Sequence, residues 1–250
     1  MFDLKLGDCL ELMKDIPNRS INMVLCDLPY SLTANKKDIS LDFNKLWAQY
    51  KRIIKDNGII VLFAQGLFYV DLVNSNRKMF RYDIIWDKEL TTGFLNAKRC
   101  PLRSHEQIAI FYTKLPPYFP QFKDNGIPLH SKGKSYIDKI AKNSNYGKYE
   151  NTDDSRAGET KKYPKSIWKY TKPHPSVAKH ATEKSIPLLE ELIKTYTYEE
   201  DLVLDNCMGS GTTGVACVRT NRNFIGMELD ENYFQIAKER IENEQNKIYI

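Results

Sequence analysis

The sequence predicts an α/β fold, doubly wound around a mainly parallel sheet and carrying one inserted segment. Three observations support this class. Short apolar runs alternate with helical patterns at the spacing of βαβ units. A glycine-rich turn at residues 209–214 joins a predicted strand to a predicted helix, as in α/β proteins that bind nucleotides. Residues 116–162 have no sustained hydrophobic period, which marks them as an insertion.

The first half of the chain alternates strand and helix. Residues 2–6 are predicted as a strand and 10–16 as a helix that Pro17 ends. Strand 21–26 comes next, and the polar residues 31–40 are expected to form a loop over the site. Helix 41–55 leads into a turn at Asn57-Gly58 and then strand 59–63. Helix 68–73 and strands 82–86 and 105–112 complete this half.

Regular structure resumes after the insertion. Residues 166–170 are ordered again, and 186–196 have helical periodicity. Strand 202–205, helix 213–219, strand 223–228 and helix 233–243 follow. We therefore expect one domain built from residues 1–115 and 163–250, interrupted by the segment 116–162.

Composition excludes several protein classes. No apolar run approaches the roughly 20 residues that a membrane helix needs, and the first residues lack the pattern of a signal peptide. The five cysteines are odd in number and form no CxxC pair, which favours a reducing compartment and argues against a zinc site. We expect a cytoplasmic protein without membrane association and without a metal.

The charge is unevenly distributed along the chain. Residues 114–184 hold 15 Lys and Arg but only 7 Asp and Glu, so the rest of a chain of net charge +5 carries −3. Tyrosines, phenylalanines and Trp168 are interleaved with these basic residues. The combination suits a nucleic acid, whose phosphates attract cations and whose bases stack on rings. A solvated lysine-rich surface is the alternative.

The glycine-rich turn predicts a site for a cofactor that contains adenosine. Gly209, Gly211 and Gly214 match G-x-G-x-x-G between a strand and a helix, and Glu228 follows Gly209 by 19 residues at the end of another strand. Such glycines let the backbone approach a ligand closely, and the acid suits ribose hydroxyls. The pattern does not separate a nicotinamide dinucleotide from other adenosine cofactors.

A second motif lies where strand 21–26 ends. Asp27-Leu28-Pro29-Tyr30 offers a carboxylate acceptor, a backbone carbonyl fixed by the following proline, and a flat ring for stacking. The carboxyl end of a strand in an open α/β sheet is where ligands bind.

Together the two motifs resemble the amino-methyltransferases of DNA, in the permuted order of the family's β class. The family usually has Asp/Asn/Ser-Pro-Pro-Tyr/Phe, so Leu28 replaces the first proline. Residues 180–184, His-Ala-Thr-Glu-Lys, resemble the family motif H-P-T-x-K-P, with Ala181 and Ser185 in place of the prolines. Before the glycine turn, Asn206 and Cys207 stand where the family commonly has Pro-Phe.

This resemblance implies transfer of a methyl group from S-adenosyl-L-methionine to the N6 amine of an adenine flipped out of double-stranded DNA. It assigns catalysis to Asp27, Leu28, Pro29 and Tyr30. The cofactor-binding residues that it implies are Asp8, Cys9, Thr182, Lys184, Asp205, Cys207, Gly209, Gly211, Thr212 and Glu228. For Asp8, a helix cap is the competing interpretation.

The resemblance also implies DNA contacts. By position, the segment 116–162 is the target-recognition segment. The expected DNA-binding residues are Arg103, His105, Lys132, Lys134, Lys139 and Lys142. His105 and Glu106 as a surface pair without a role is the alternative for that stretch. A homodimer and a cognate restriction endonuclease, as in restriction-modification, are further partners that the resemblance suggests.

Three alternatives stay open from the sequence. The same reaction on cytosine N4 is the nearest, although an acidic first residue in the tetrad favours adenine within this family. An oxidoreductase linked to NAD would explain the glycine turn and Glu228 but not the tetrad. A catalytically inactive DNA-binding relative is conceivable because Leu28 and Cys207 depart from the family pattern.

Overall fold

A computed structural model of the chain describes residues 1–30, 42–129, 156–172 and 184–248. The chain divides into two compact units. One comprises Met1–Phe119 with Ser166–Ile250, and the other comprises Pro120–Lys165. The target-recognition role of residues 116–162 stays a prediction.

The larger unit is built on an eight-stranded sheet, ordered β1-β10-β9-β2-β3-β5-β4-β8. Neighbouring strands are parallel except at β5, which is antiparallel to both β3 and β4. The strands of the described residues are β1 Phe2–Leu6, β2 Ile21–Asp27, β3 Ile54–Ala64, β4 Phe80–Thr92, β5 Arg103–Phe111, β6 Lys123–Asp124, β7 Lys161–Lys162, β8 Ile167–Lys169, β9 Leu202–Asp205 and β10 Asn223–Glu228.

Helices cover both faces of the sheet. They are α1 Cys9–Leu12, continued by a 3-10 turn Met13–Asp15, α2 Phe43–Ile53, α3 Gly66–Ser75, α4 Ile186–Tyr196, α5 Thr212–Arg219 and α6 Glu231–Ile248, with a further 3-10 turn at Phe94–Asn96. Side chains of α1–α3 form one core with alternate strand residues such as Val24 and Cys26. Side chains of α4–α6 form the other with Met23 and Leu25. The doubly wound class is therefore confirmed.

The order of the strands creates a switch point between β9 and β2. From β2 the chain proceeds to β3 on one side, whereas from β9 it proceeds to β10 on the other. Asp205 and Asp27 stand at the adjacent carboxyl ends of these two strands, where open α/β sheets bind ligands. Because β5 runs antiparallel, its first residues, not its last, lie at this same edge.

Four predicted elements have the expected bounds, the others differ by one or more residues at their ends, and one prediction is wrong. Residues 2–6, 186–196, 202–205 and 223–228 form the predicted elements without any shift of their ends. The turn expected at Asn57-Gly58 instead lies within β3, in a bulge where pairing with β2 shifts between Ile21 and Met23. A Cβ on Gly58 would lie 2.9 Å from the Asn22 carbonyl oxygen, so glycine serves close strand approach at this position.

The smaller unit has little regular structure among its described residues. Strands β6 and β7 pair antiparallel over two residues each. The Arg156 guanidinium lies over the rings of Phe122 and Tyr163, at 4.7 Å from each ring centre. The expected loop 31–40 lies outside the described residues. No helix in the described ranges is long and apolar enough to span a bilayer.

Candidate active site

The tetrad that follows β2 is held by packing and by one internal hydrogen bond. The Leu28 side chain is buried in the core shared with α1–α3, so the residue that replaces the family proline is anchored there. The Tyr30 hydroxyl donates to Asp27 Oδ1 at 2.7 Å, and its ring stacks on Phe68 with centres 4.7 Å apart. Phe68 therefore covers one face of the Tyr30 ring.

Asp27 is the first of four neighbouring side chains whose charges alternate in sign. Its Oδ2 accepts a hydrogen bond of 2.5 Å from the Lys184 ammonium. The same ammonium lies 3.2 Å from Glu106 Oε2, and Lys88 Nζ lies 3.2 Å from Glu106 Oε1. The side chains of Lys88, Glu106 and Lys184 are 4%, 10% and 10% exposed, so this network is nearly dehydrated.

Glu106 and Lys184 stay charged despite their burial. Burial alone would raise the pKa of Glu106, but Lys184 and Lys88 outweigh it and hold the pKa below its usual value. Burial alone would lower the pKa of Lys184, but the carboxylates of Asp27 and Glu106 outweigh it and raise that pKa. Burial, with the adjacent Asp27 charge, raises the pKa of Tyr30 well above its usual value, so its hydroxyl stays a donor.

The glycine turn after β9 uses its glycines for two different purposes. At Gly211 (φ +78°) a Cβ would lie 2.8 Å from Cβ of Ala237, so this glycine lets α6 pack against the turn. At Gly209 (φ +51°) a Cβ would meet no atom within 4 Å, so the backbone there borders open space. The sequence had attributed both glycines to the cofactor. Open space beside Gly209 is the cradle that such a ligand needs.

Glu228 and Arg240 fix the shape of this turn. Glu228 accepts hydrogen bonds from the backbone amides of Gly209 at 2.9 Å and Asp230 at 2.8 Å. Each carboxylate oxygen keeps a further lone pair for a ribose hydroxyl. Arg240, from α6, donates to the backbone oxygen and the hydroxyl of Ser210, both at 2.7 Å, and to Thr212 at 3.4 Å.

Asp205 lies buried beneath the turn. It accepts a hydrogen bond of 2.6 Å from the Thr213 hydroxyl and one of 3.1 Å from the Cys207 amide. Burial raises the pKa of Asp205 to about 6, although both hydrogen bonds act to lower it. This arrangement makes Asp205 the organiser of the strand-to-helix turn.

The two departures from the family pattern before the turn form a thiol and amide cluster. The Asn206 amide nitrogen lies 3.6 Å from Cys9 Sγ and 3.5 Å from Cys207 Sγ, and Asn206 Oδ1 accepts from the Tyr50 hydroxyl at 2.6 Å. A hydrogen bond with Cys207 and burial raise the pKa of Cys9. Burial raises the pKa of Cys26 to about 12. These protonated thiols fit packing, not nucleophilic chemistry.

Asp8 caps α1. Its Oδ1 accepts hydrogen bonds from the amides of Leu10 at 2.7 Å and Glu11 at 3.3 Å, as the interpretation of Asp8 as a helix cap predicts. The Gly7 amide binds the backbone oxygen of Glu228 at 2.8 Å, so Asp8 stands at the same sheet edge as the glycine turn.

This geometry can be compared with known proteins. The profile of a family described as DNA methylase, of the N6/N4 methyltransferase type, matches residues 21–239. The chain belongs to this DNA methylase family. The resemblance in the two sequence motifs is thereby confirmed, and the oxidoreductase alternative is removed.

Curated relatives of this DNA methylase are similar over most of its length. The type II methyltransferase M.HpaI of Haemophilus parainfluenzae is 26% identical, over 96% of this chain and 74% of its own. The DNA adenine methyltransferase YhdJ of Escherichia coli (strain K12) is 25% identical, over 94% of this chain and 81% of its own.

Two solved structures share its fold. M1.HpyAVI in complex with SAM has a TM-score of 0.64 at 24% identity, covering 96% of this chain and 99% of that chain. PvuII DNA methyltransferase, described as cytosine-N4-specific, has a TM-score of 0.65 at 16% identity, covering 99% and 92% respectively. At these identities the likeness establishes the fold of the DNA methylase.

Of the remaining residues predicted for the site of this DNA methylase, two lie at the edge of the sheet and five lie outside the described ranges. Arg103 and His105 are exposed at the catalytic edge of the sheet, and both contact Gln65. The Arg103 guanidinium donates to Gln65 Oε1 at 3.0 Å, and Gln65 Nε2 donates to the His105 carbonyl at 2.9 Å. Five predicted residues lie outside the described ranges: Thr182, Lys132, Lys134, Lys139 and Lys142. In the described ranges, no group of His, Cys, Asp and Glu could hold a metal ion.

Four residues of the site were missed from the sequence: Lys88, Glu106, Thr213 and Arg240. Glu106 was left with no role beyond a surface pair, yet it is buried between two lysines. A signal was present, because Glu106 alternates with the apolar Ile108 and Ile110 and therefore lies on their buried face.

Proposed function

We propose that this DNA methyltransferase transfers the methyl group of S-adenosyl-L-methionine to the N6 amine of an adenine flipped out of double-stranded DNA. One observation carries the proposal. A carboxylate with both oxygens held, Asp27, stands beside the Leu28 carbonyl and the Tyr30 ring at the switch point where the glycine turn also lies.

The chemistry explains why such a group is needed. An exocyclic amine is a weak nucleophile because its lone pair is delocalised into the ring. Asp27 and the Leu28 carbonyl accept its two hydrogens and so favour a nitrogen whose lone pair points out of the ring plane. Tyr30 stacks on the flipped base and holds it in line for attack.

The residues around the glycine turn fit the cofactor. The backbone at Gly209 and the carboxylate of Glu228 border open space and would hold the adenosine part. When bound, S-adenosyl-L-methionine supplies a sulfonium methyl group, whose carbon–sulfur bond pair stays on sulfur as the lone pair of the amine forms the new nitrogen–carbon bond. Asp27 then accepts the proton that the methylated nitrogen loses and releases it to water.

Lys184 belongs with Asp27 in this proposal. The family motif implied a place near the methionyl end of the cofactor, and Thr182 keeps that expected role. The Lys184 ammonium is bonded to Asp27 and lies against Glu106. A cation there fixes the orientation of the Asp27 carboxylate.

Adenine is the proposed base because the tetrad begins with aspartate, which in this family goes with N6. The similarity to a relative named DNA adenine methyltransferase supports the same choice. Methylation of cytosine at N4 would show that this choice of base is wrong.

DNA contacts are proposed for two surfaces. Arg103 and His105 are exposed beside the base site, and the basic residues Lys132, Lys134, Lys139 and Lys142 belong to the proposed target-recognition segment. Replacing these four lysines with Gln should weaken binding to specific and scrambled duplexes alike and reduce the salt dependence, because phosphate contacts release counterions. Unchanged salt dependence would place the phosphate contacts elsewhere.

A cognate restriction endonuclease is a further proposed partner, since several relatives are named type II methyltransferases. Endonuclease digestion of genomic DNA from cells that express the chain tests it. Newly acquired resistance to one endonuclease would identify the recognition sequence, which a cognate endonuclease would share.

The decisive experiment identifies the product. Purified protein is incubated with unmethylated plasmid DNA and labelled S-adenosyl-L-methionine, the DNA is digested to nucleosides, and the methylated base is found by mass spectrometry. N6-methyladenine is expected. N4-methylcytosine would change the base but keep the enzyme class, and cofactor binding without any methylated base would favour the inactive relative.

A further inference from the structure

We propose that Glu106 is a positioning residue for methyl transfer, holding the Lys184 ammonium against Asp27 so that this carboxylate presents one fixed orientation to the target amine. The inference rests on the proposed function and adds to it a residue outside both sequence motifs.

Among the described residues, each oxygen of Asp27 has one hydrogen-bond partner. Tyr30 donates to Oδ1 at 2.7 Å and Lys184 to Oδ2 at 2.5 Å, which fixes the rotation of the carboxylate plane. A carboxylate oxygen accepts in more than one direction, so each keeps capacity for an amine hydrogen. The orientation of this acceptor therefore depends on where the Lys184 ammonium is held.

Lys184 has a flexible side chain, so its position needs a second constraint. Glu106 Oε2 supplies one, at 3.2 Å from the ammonium, and the ring of Phe63 supplies another, with its centre 5.0 Å away. Glu106 and Asp27 thus attract the ammonium together. Without Glu106, Asp27 would be the single carboxylate within ion-pair distance of it among the described residues.

Glu106 is itself fixed by the sheet. On β5 it pairs across the strands with Trp86 of β4, and Lys88 lies two residues further along β4 on the same face. Lys88 Nζ donates to Glu106 Oε1 at 3.2 Å. Strand pairing therefore sets the position of Glu106, and Glu106 holds the Lys184 ammonium. That ammonium orients the Asp27 carboxylate, which lies 79 positions before Glu106 in the sequence.

A gain in the free energy of folding does not explain this network of buried charges. Burying paired charges costs desolvation energy that their attraction often fails to recover, and an apolar replacement is often equally stable. A network that alternates in sign and ends on the proposed acceptor is explained by positioning. The competing explanation is that Glu106 merely neutralises Lys88.

Two variants separate these explanations. Glu106→Gln removes the carboxylate but leaves Lys88 buried without a counter-ion, so it also risks the fold. The double variant Glu106→Gln/Lys88→Met removes both charges. Glu89→Gln is the matched control, because the exposed Glu89 carboxylate contacts only the Thr171 hydroxyl among the hydrogen bonds found for that side chain.

The measurements are thermal unfolding, the dissociation constant of S-adenosyl-L-methionine, and the pH dependence of single-turnover methylation. We expect the double variant to fold, to bind the cofactor within about twofold of wild type, and to lose about 100-fold in rate, the order expected for a displacement of about 1 Å at the reacting groups. The KM for DNA should change little, and Glu89→Gln should match wild type.

The pH profile gives a readout that a structural role would not move. The charged groups around the Lys184 ammonium are Asp27, Glu106, Lys88 and Lys172. Loss of one of its two carboxylates lowers the pKa of Lys184, so the alkaline limb of the rate profile should move to lower pH in Glu106→Gln, and by less in the double variant, because loss of the Lys88 charge acts in the opposite direction.

Wild-type rate in the double variant would overturn the proposal and leave charge neutralisation as the role of Glu106. A reduced rate with an unmoved alkaline limb would also overturn it. If the product is N4-methylcytosine and the Glu106 variants lose rate, positioning is supported although the proposed base is wrong. If the wild-type protein methylates no base, the proposed function is refuted.

Discussion

The two halves of the site are built by different means. At the glycine turn, contacts join residues near one another in sequence: Thr213 to Asp205 across eight positions, and Gly209 to Glu228 across 19. At Asp27, the bond to Lys184 spans 157 positions, and the four charges of the network come from three strands and the segment before α4. The first half depends on backbone shape, and the second on buried charge brought together by topology.

This difference predicts how each half fails. A backbone-built site should lose ligand affinity or folding when its shape changes. A site built from buried charges should keep its ligand and lose rate when one charge is removed, because in the proposed mechanism Asp27 contacts the target amine and the Lys184 ammonium orients Asp27. Five substitutions, grouped in four predictions, test the contrast from the largest expected effect to the smallest.

Asp27→Asn keeps the size of the side chain and removes its charge. We expect the methylation rate to fall by about 100-fold to 10,000-fold, as for the loss of a positioned acid–base group, with the affinity for S-adenosyl-L-methionine nearly unchanged. Single-turnover assays and calorimetric titration measure the two quantities, with Asp3→Asn, which alters a half-exposed pair with Lys5 on β1, as control. A variant that keeps more than a tenth of the rate would remove Asp27 from its role.

Gly211→Ala should act on folding. Its Cβ would lie 2.8 Å from Ala237 in a left-handed backbone conformation, so the free energy of unfolding should fall by about 2–4 kcal/mol. Gly209→Ala also has a left-handed backbone but meets no atom, so it should lose less stability and more cofactor affinity. Urea unfolding with and without cofactor compares them. Equal effects on both quantities would mean that the two glycines share one role.

Asp205→Asn should change how stability depends on pH. The folded pKa of about 6 lies above the ordinary value of 3.8, so the folded protein holds this proton more tightly than the unfolded chain. Its contribution is most favourable below about pH 4 and is lost as the pH rises to about 6, by about 3 kcal/mol in total. The variant should flatten this part of the curve. The free energy of unfolding of both proteins is measured between pH 4 and 7. If the variant kept the wild-type dependence on pH, Asp205 would not be its source.

Glu228→Gln should have the smallest effect. Loss of a charged acceptor for the ribose should weaken cofactor binding by about 1–3 kcal/mol. The amide group also replaces one acceptor of the Gly209 and Asp230 hydrogen bonds, so stability is measured beside affinity. An unchanged dissociation constant would refute the ribose contact.

The same contrast explains what could be predicted from the sequence. Asp27 and the glycine turn were identifiable because each motif is contiguous and each follows a predicted strand. Lys88 and Glu106 were not, since their role arises from the antiparallel register of β4 and β5, which no short pattern encodes. The bulge at Gly58 was mistaken for a turn because Asn-Gly is typical of both a tight turn and a close approach of strands.

The reversed direction of β5 has a consequence for how such an enzyme can change. Since the first residues of β5 lie at the sheet edge that carries Asp27, its connection to β4, residues 93–102, emerges beside the proposed base site. Phe94 and Leu95 in that connection are 78% and 84% exposed and add nothing to either core. Lengthening or rewriting a surface connection costs folding little, with each doubling in length adding about 0.6 kcal/mol of closure entropy. New sequence preferences can therefore arise there by insertion and drift, while the buried charges beneath stay fixed.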